Sequence, residues 1–304
     1  MSNNSAVDDD KTAIELGGEC DCSRAEEFLD MLSPRHEFWQ PDPSAWVFRG
    51  QAKDWPLLPK AYRKQPPDPF AEFGVSSVPS GGADAWHSSP WKAYADALKQ
   101  SRDNFREALD RAGLPIPTPL TPFREPGPAG HLSEDVRVNL PLIALAQHLG
   151  LPTQLLDWSL HARVAAYFAA ASAAETSETE GRLEVWALRS DVVRSSRFIF
   201  DGYVLSLVNA PRASNPNLHA QSGVFTVLEG PRASELPLDE FVVRALGSID
   251  PNAELPLMRR LTAPQSCARE LLRLLAHEGV DGSAMFPGFE GVVKAMRERA
   301  QWDK

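Results

Sequence analysis

Three short clusters in this sequence set side chains able to do chemistry among large hydrophobic residues. The first is Phe48-Arg49-Gly50-Gln51, continuing to Trp55-Pro56-Leu57-Leu58-Pro59 and Arg63. An arginine closing an apolar strand presents a planar five-donor fork that suits a phosphate, a diphosphate or a carboxylate. The glycine after it leaves room for a ligand to approach the backbone. A structural Arg–Asp bridge would use the same residues. The second cluster, Ala146 to Ser159, holds Gln147, His148, Thr153, Asp157 and Ser159 between hydrophobes. Buried polar groups need partners, so this density implies either a packed hydrogen-bond network or a ligand site. Taken alone, His148 is more often a satisfied core histidine than a base, and Asp157 suits a helix cap as well as catalysis. The third cluster is Leu218 to Thr226, where Gln221 leads into a strand through Gly223.

These clusters need elements to hold them. Ser23, with Glu26 three positions on, predicts a capping box opening a helix whose apolar face is Phe28, Leu29 and Leu32. Trp46-Val47-Phe48 predicts a strand ended by Arg49-Gly50-Gln51. Residues 65–91 are rich in Pro, Gly and Ser and predict loop. Residues 91–112 predict a helix with Ala95, Leu98, Phe105 and Leu109 on its apolar side. Six prolines between 115 and 128 exclude regular structure there. A buried helix is expected over 139–149, with Pro141 in its first turn and Gly150 as its stop. A turn or strand follows at Thr153–Ser159, then an Ala-rich helix over 162–174. Strands are expected over 183–188, 198–208, 224–228 and 240–246, and an amphipathic helix over 262–277.

The chain has 304 residues, 43% hydrophobic and 24% charged, enough for one large domain or two modest ones. No apolar run approaches the about 20 residues that cross a bilayer, so no membrane partner is expected. Met1 to Asp10 lacks the basic and apolar regions of a secretory signal, which makes the cytoplasm the expected location. The net charge is −10, and residues 1–45 carry eleven acids against Lys11, Arg24 and Arg35. The rest is nearly neutral and has no basic stripe, which argues against non-specific nucleic-acid binding. Residues 1–22 are acidic and small and are expected to form a disordered leader, with one domain over 23–304 and an insertion over 65–135. Cys20, Cys22 and Cys267 have no zinc or CxxC spacing and are expected to be incidental thiols. No Gly-x-Ser-x-Gly elbow exists for a serine hydrolase.

Read in order, the clusters resemble the FRG domain, a bacterial family named for the Phe-Arg-Gly at 48–50. The resemblance continues through Trp55-Pro56-Leu57, then Ala146-Gln147-His148 and Gly150-Leu151-Pro152-Thr153. Leu155-Leu156-Asp157-Trp158, Tyr167-Phe168-Ala169, Gln221-x-Gly223 and Met285-Phe286-Pro287 complete it. Gln154 and Ser159 depart from it, since many relatives have Arg and Thr there.

A weaker resemblance, to ADP-ribosyltransferases, implies a mechanism. Those enzymes carry an Arg or His on a first strand, then a Ser/Thr-containing turn before an Ala-rich helix. A later strand carries a catalytic Glu. The resemblance implies an α+β fold of small mixed or antiparallel sheets flanked by helices, with helical and Pro-rich insertions. It implies NAD as substrate, no metal, and an unidentified macromolecular acceptor or partner protein, in a toxin or phage-defence setting. Arg49, Asp157, Gln221 and His148 would be the catalytic candidates. Arg49, Gly50, Gln51, Tyr62, Thr153, Trp158, Ser159 and Tyr167 would bind the nucleotide, the aromatic ones by stacking. Gln221 cannot carry negative charge, so Asp157 and Glu229 are the candidate carboxylates. A non-catalytic nucleotide- or protein-binding module is the alternative.

Overall fold

A computed structural model describes residues 18–63, 67–77, 90–118, 132–176, 180–195, 198–212, 215–249 and 256–302. In chain order the first elements are β1 (Glu19–Asp21), α1 (Ala25–Met31), β2 (Trp46–Gln51), α2 (Pro90–Arg111) and α3 (Glu134–His148). Next come β3 (Leu156–Ser159), α4 (Ala162–Glu175), β4 (Arg182–Arg189), α5 (Ser190–Ser195), β5 (Phe198–Phe200) and β6 (Tyr203–Val208). The chain continues through α6 (Pro216–Ala220), β7 (Gly223–Glu229), α7 (Leu238–Ile249) and β8 (Met258–Pro264). It closes with α8 (Ala268–His277), α9 (Gly282–Met285) and α10 (Phe289–Arg299).

The strands form one mixed eight-stranded sheet in the order β1-β8-β4-β2-β3-β7-β6-β5. The β1–β8 pair is parallel and the others are antiparallel. Its middle is weak. All six residues of β2 pair with β4, whereas β2 meets β3 only at Phe48↔Ser159. The fold is therefore mixed α/β, with a single sheet divided by a seam rather than separate small sheets.

Alternation along the strands sorts the cores. One face carries Val47, Leu156, Trp158, Trp186, Leu188 and Val224 beneath Phe241, Val242 and Ala245 of α7. The other face carries two cores. Phe48, Val185, Ala187 and Leu261 pack under α1, α4 and α8. Leu155, Phe225 and Val227 pack under α3 and α6. The space between these two cores lies over the seam.

Several expectations need correction. Glu19–Asp21 is an edge strand and Cys22 is buried, so the leader cannot extend to residue 22; residues 1–17 lie outside the described set. Ser23 donates through both its backbone N–H (2.8 Å) and its hydroxyl (2.9 Å) to Glu27 Oε2, not to Glu26. The strand at 46 continues through Gln51 rather than ending at Arg49. In α2 the buried side is Tyr94, Ala97, Ser101 and Leu109, while Ala95 faces solvent. Helix α3 begins at Glu134 under a Ser133 cap, which places Pro141 in its interior. Residues 198–208 are a hairpin turning at Asp201-Gly202, both in left-handed conformation. Residues 240–246 belong to a helix, because Leu238, Phe241, Val242 and Ala245 recur at helical spacing. The segment starting at 258 is a strand before it is a helix. Most of the 115–128 proline stretch lies outside the described residues. No described helix is long and apolar enough to cross a membrane.

Candidate functional site

A cavity of about 400 Å³ lies over the seam, between α3 and α4. That volume falls within the range of small-molecule sites, about 300–1,000 Å³. Phe48, Gly50, Asp157, Ser159 and Phe225 line it from the strands, with Ala144, Gln147 and His148 from α3. Val164, Ala165, Phe168 and Ser172 line it from α4, and Phe286 reaches it from the C-terminal segment. Gln221 and Asn215 lie beside them, and Trp55 and Arg63 also contribute.

Arg49 belongs to the other face of the sheet, opposite Trp186 in register. Its guanidinium reaches the cavity because the seam is open beside it. There Nη1 donates to the main-chain oxygen of Asp157 at 3.0 Å and stands 3.8 Å from Asp157 Oδ2. The Arg49 side chain is 13% exposed and that of Asp157 60%, so the pair is a half-wet one. Burial pulls the Arg49 pKa down, and Asp157 partly offsets it.

What aims Arg49 is Gln51. The Gln51 amide nitrogen donates to Trp55 O at 2.7 Å and to Glu184 Oε1 at 2.8 Å. With both hydrogens committed, the amide oxygen faces Arg49 and accepts from its Nε at 3.3 Å. Glu184 is 1% exposed and also accepts from Trp186 Nε1 (2.9 Å) and Arg260 Nε (2.7 Å). Burial raises the Glu184 pKa, and Arg260 and the donated hydrogen bonds oppose the rise. Glu184 is not among the residues that stand out in the three clusters. Its signal was a lone acid within the apolar run Leu183 to Leu188, a position that demands a buried partner.

The β3 side is braced from α3. Gln147 Nε2 donates to Asp157 Oδ1 at 2.5 Å, and the Thr153 hydroxyl donates to Gln147 Oε1. Thr153 is buried and supports the carboxylate indirectly rather than lining the cavity. His148 Nε2 contacts Asn217 Nδ2. Burial lowers the His148 pKa while Asp157 works the other way. The Ser159 hydroxyl donates to Gln221 O at 2.8 Å and accepts from His161 N at 3.0 Å, tying the end of β3 to the turn before β7. The Gln221 amide nitrogen donates to Met285 O at 3.1 Å, and its amide oxygen is an acceptor.

Arg49, Gly50, Gln51, His148, Asp157, Trp158, Ser159 and Gln221 thus gather around one cavity, from segments more than 150 residues apart. Other expectations do not hold geometrically. Tyr62 packs edge-to-face on Tyr94, with centroids 6.0 Å apart, away from the cavity. Tyr167 is fully buried and donates to Glu298 Oε1 at 2.6 Å. Trp158 borders the cavity but is 3% exposed, its indole N–H donating to Thr226 Oγ1 at 2.9 Å, so its ring packs in the core instead of standing free to stack on a ligand. The aromatic lining comes instead from Phe48, Phe168, Phe225, Phe286 and Trp55. Glu229 ends β7 at the opposite end from Gln221 and accepts from Ser133 N at 3.0 Å. Gly50 has a different purpose from ligand approach: a Cβ there would lie 1.9 Å from Ala165 O and 2.8 Å from Ala169 N. The glycine lets α4 press onto β2. Among the described residues no group of three His, Cys, Asp or Glu side chains is placed to hold a metal ion.

The fold and site define a mixed α/β domain with a cavity of mixed apolar and polar lining over a divided sheet. The FRG domain model matches residues 121–178 of this chain, bearing out the resemblance over that span. The span supplies Gln147, His148, Asp157, Ser159 and Phe168; Arg49 and Gln221 lie outside it. Searches against curated proteins and solved structures returned no match.

Proposed function

We propose that the cavity binds NAD or a related nucleotide and promotes cleavage of its nicotinamide–ribose bond. The observation that carries this reading is the convergence of Arg49 on β2, Asp157 on the adjacent β3 and Gln221 in the turn leading into β7 onto one partly aromatic cavity. Their chain order also follows the ADP-ribosyltransferase pattern.

In this reading Arg49, with Arg63 beside it, takes diphosphate oxygens. The phenylalanine lobe receives the nicotinamide ring. Asp157 accepts from a ribose hydroxyl and places its charge near the anomeric carbon as an oxocarbenium-like centre develops. Nicotinamide leaves with the bonding electron pair. Water or a macromolecular nucleophile then adds to that carbon and releases a proton. A role as a toxin or phage-defence effector would require this turnover.

One observation favours the alternative, a non-catalytic nucleotide- or protein-binding module: an amide, Gln221, stands where the pattern asks for a carboxylate. Incubation with labelled NAD and cell extract separates the two. Nicotinamide release lost in Arg49→Ala and Asp157→Asn supports catalysis. Saturable ADP-ribose binding without nicotinamide release supports the binding module, and no nucleotide binding at all overturns both nucleotide readings.

A further inference from the structure

The last helix, α10, has its hydrophobic stripe on the wrong side for a monomer. Gly291 and Ala295 face inward and are buried. Phe289 is 94% exposed, and Val292, Val293 and Met296 are also exposed. Phe289, Val293, Met296 and Ala300 are spaced four, three and four apart, the spacing of a coiled-coil seam. Scattered exposed hydrophobics need no explanation, but a contiguous helical stripe marks an interaction site.

The charges on this helix divide the same way. Lys294 and Glu298, on the inward side, have partners, Lys294 reaching Glu175 at 3.1 Å and Glu298 holding Tyr167, and Arg299, though exposed, reaches Asp281 at 2.9 Å. Glu290 and Arg297 flank the outward stripe and are exposed. Among the described residues neither forms an ion pair within its own chain. They lie seven residues apart, so both fall on the same flank of the seam.

We infer that α10 pairs antiparallel with the α10 of a second copy of this chain about a two-fold axis. In that arrangement Phe289 packs against Ala300 and Val293 against Met296 of the other copy, and the layers share one register. Residues on the same flank then meet across an antiparallel pair. Glu290 comes opposite Arg297 twice, once on each side of the axis. The stripe is therefore complementary to itself in shape and in charge, the condition for an isologous interface. An eleven-residue helix pair alone falls short of the roughly 1,200 Å² that stable interfaces bury. A groove of about 680 Å³ beside it, lined by Ala171, Ala174 and Leu272 as well as Phe289 and Val293, gives the second copy further apolar surface.

Sedimentation velocity on the full chain, from about 1 to 100 µM, tests this. The expected result is a reversible monomer–dimer equilibrium. Phe289→Glu should leave only monomer, and Glu290→Arg should weaken dimerisation about tenfold. The exchanged pair Glu290→Arg with Arg297→Glu should restore it to within about threefold of wild type. All of these positions are exposed, and circular dichroism checks that each variant keeps its fold. A monomer at every concentration overturns the inference. So does a dimer that ignores Phe289→Glu, or a charge exchange that fails to rescue.

Discussion

The two edges of β2 face very different neighbours. Towards β4 the strand is paired over its whole length, and the cross-strand polar contact there is the buried Gln51–Glu184 bond. Towards β3 it is paired at a single register, and the gap is bridged by the Arg49 side chain. The closed edge supplies rigidity and the open edge supplies the site. A guanidinium can be held at an opening only because the other edge of its strand is fixed.

That contrast can be broken from either side. The largest effect is expected on the closed edge: Glu184→Ala leaves the Arg260 guanidinium without its buried partner and should cost about 3–5 kcal/mol, measured by urea unfolding. Gly50→Ala comes next. Its methyl would collide with the Ala165 carbonyl, and β2 and α4 must separate, costing about 3 kcal/mol at the upper end of overpacking. At the open edge Arg49→Ala should change stability by only about 1 kcal/mol, because Asp157 is mostly solvated. The same change should abolish nucleotide binding measured by calorimetry, and Arg49→Lys should not rescue it, since the fork is lost. A cost of several kcal/mol for Arg49→Ala would mean that the open edge is structural after all.

The smallest effect concerns His148, whose folded pKa is lowered by burial. The folded state then binds fewer protons than the unfolded chain below the ordinary value of about 6.5. Its contribution to stability is present above that value and is lost as pH falls towards the folded pKa. An NMR titration should give a midpoint below the ordinary value, and a midpoint above it would show that Asp157 outweighs burial.

The motif residues were legible because polar side chains inside apolar runs stand out: Arg49, Gln147, Asp157 and Gln221 were found this way and converge. What they touch was harder to read. The sequence pairs Arg49 with its ligand and Gly50 with ligand approach, yet Gly50 is set by a helix that begins more than 100 residues later. Tyr62 and Tyr167 looked suited to stacking, but a tyrosine's hydroxyl is equally suited to a buried partner, and Tyr167 found Glu298. Strand β8 was missed because Arg259 and Arg260 mask its alternation. Both guanidiniums are absorbed sideways, Arg259 over Phe38 and Trp46 and Arg260 onto Glu184. Residues 240–246 read as strand because the run Phe241-Val242-Val243 is short, and the helical spacing emerges only when Leu238 and Ala245 are counted with it.

Tyr167 and Phe168 are neighbours on α4, yet they lead in different directions. Tyr167 is tied to Glu298 on the last helix, while Phe168 lies edge-on to Phe286 at 6.0 Å in the cavity wall. Phe286 precedes the last helix by only three residues. The outer helix and the cavity therefore share one turn of α4 as a common support. Where a displacement at one end is passed to the other through that support, thermodynamic linkage makes the coupling reciprocal. If seating a partner on the last helix changes ligand affinity by some factor, filling the cavity must change partner affinity by that same factor.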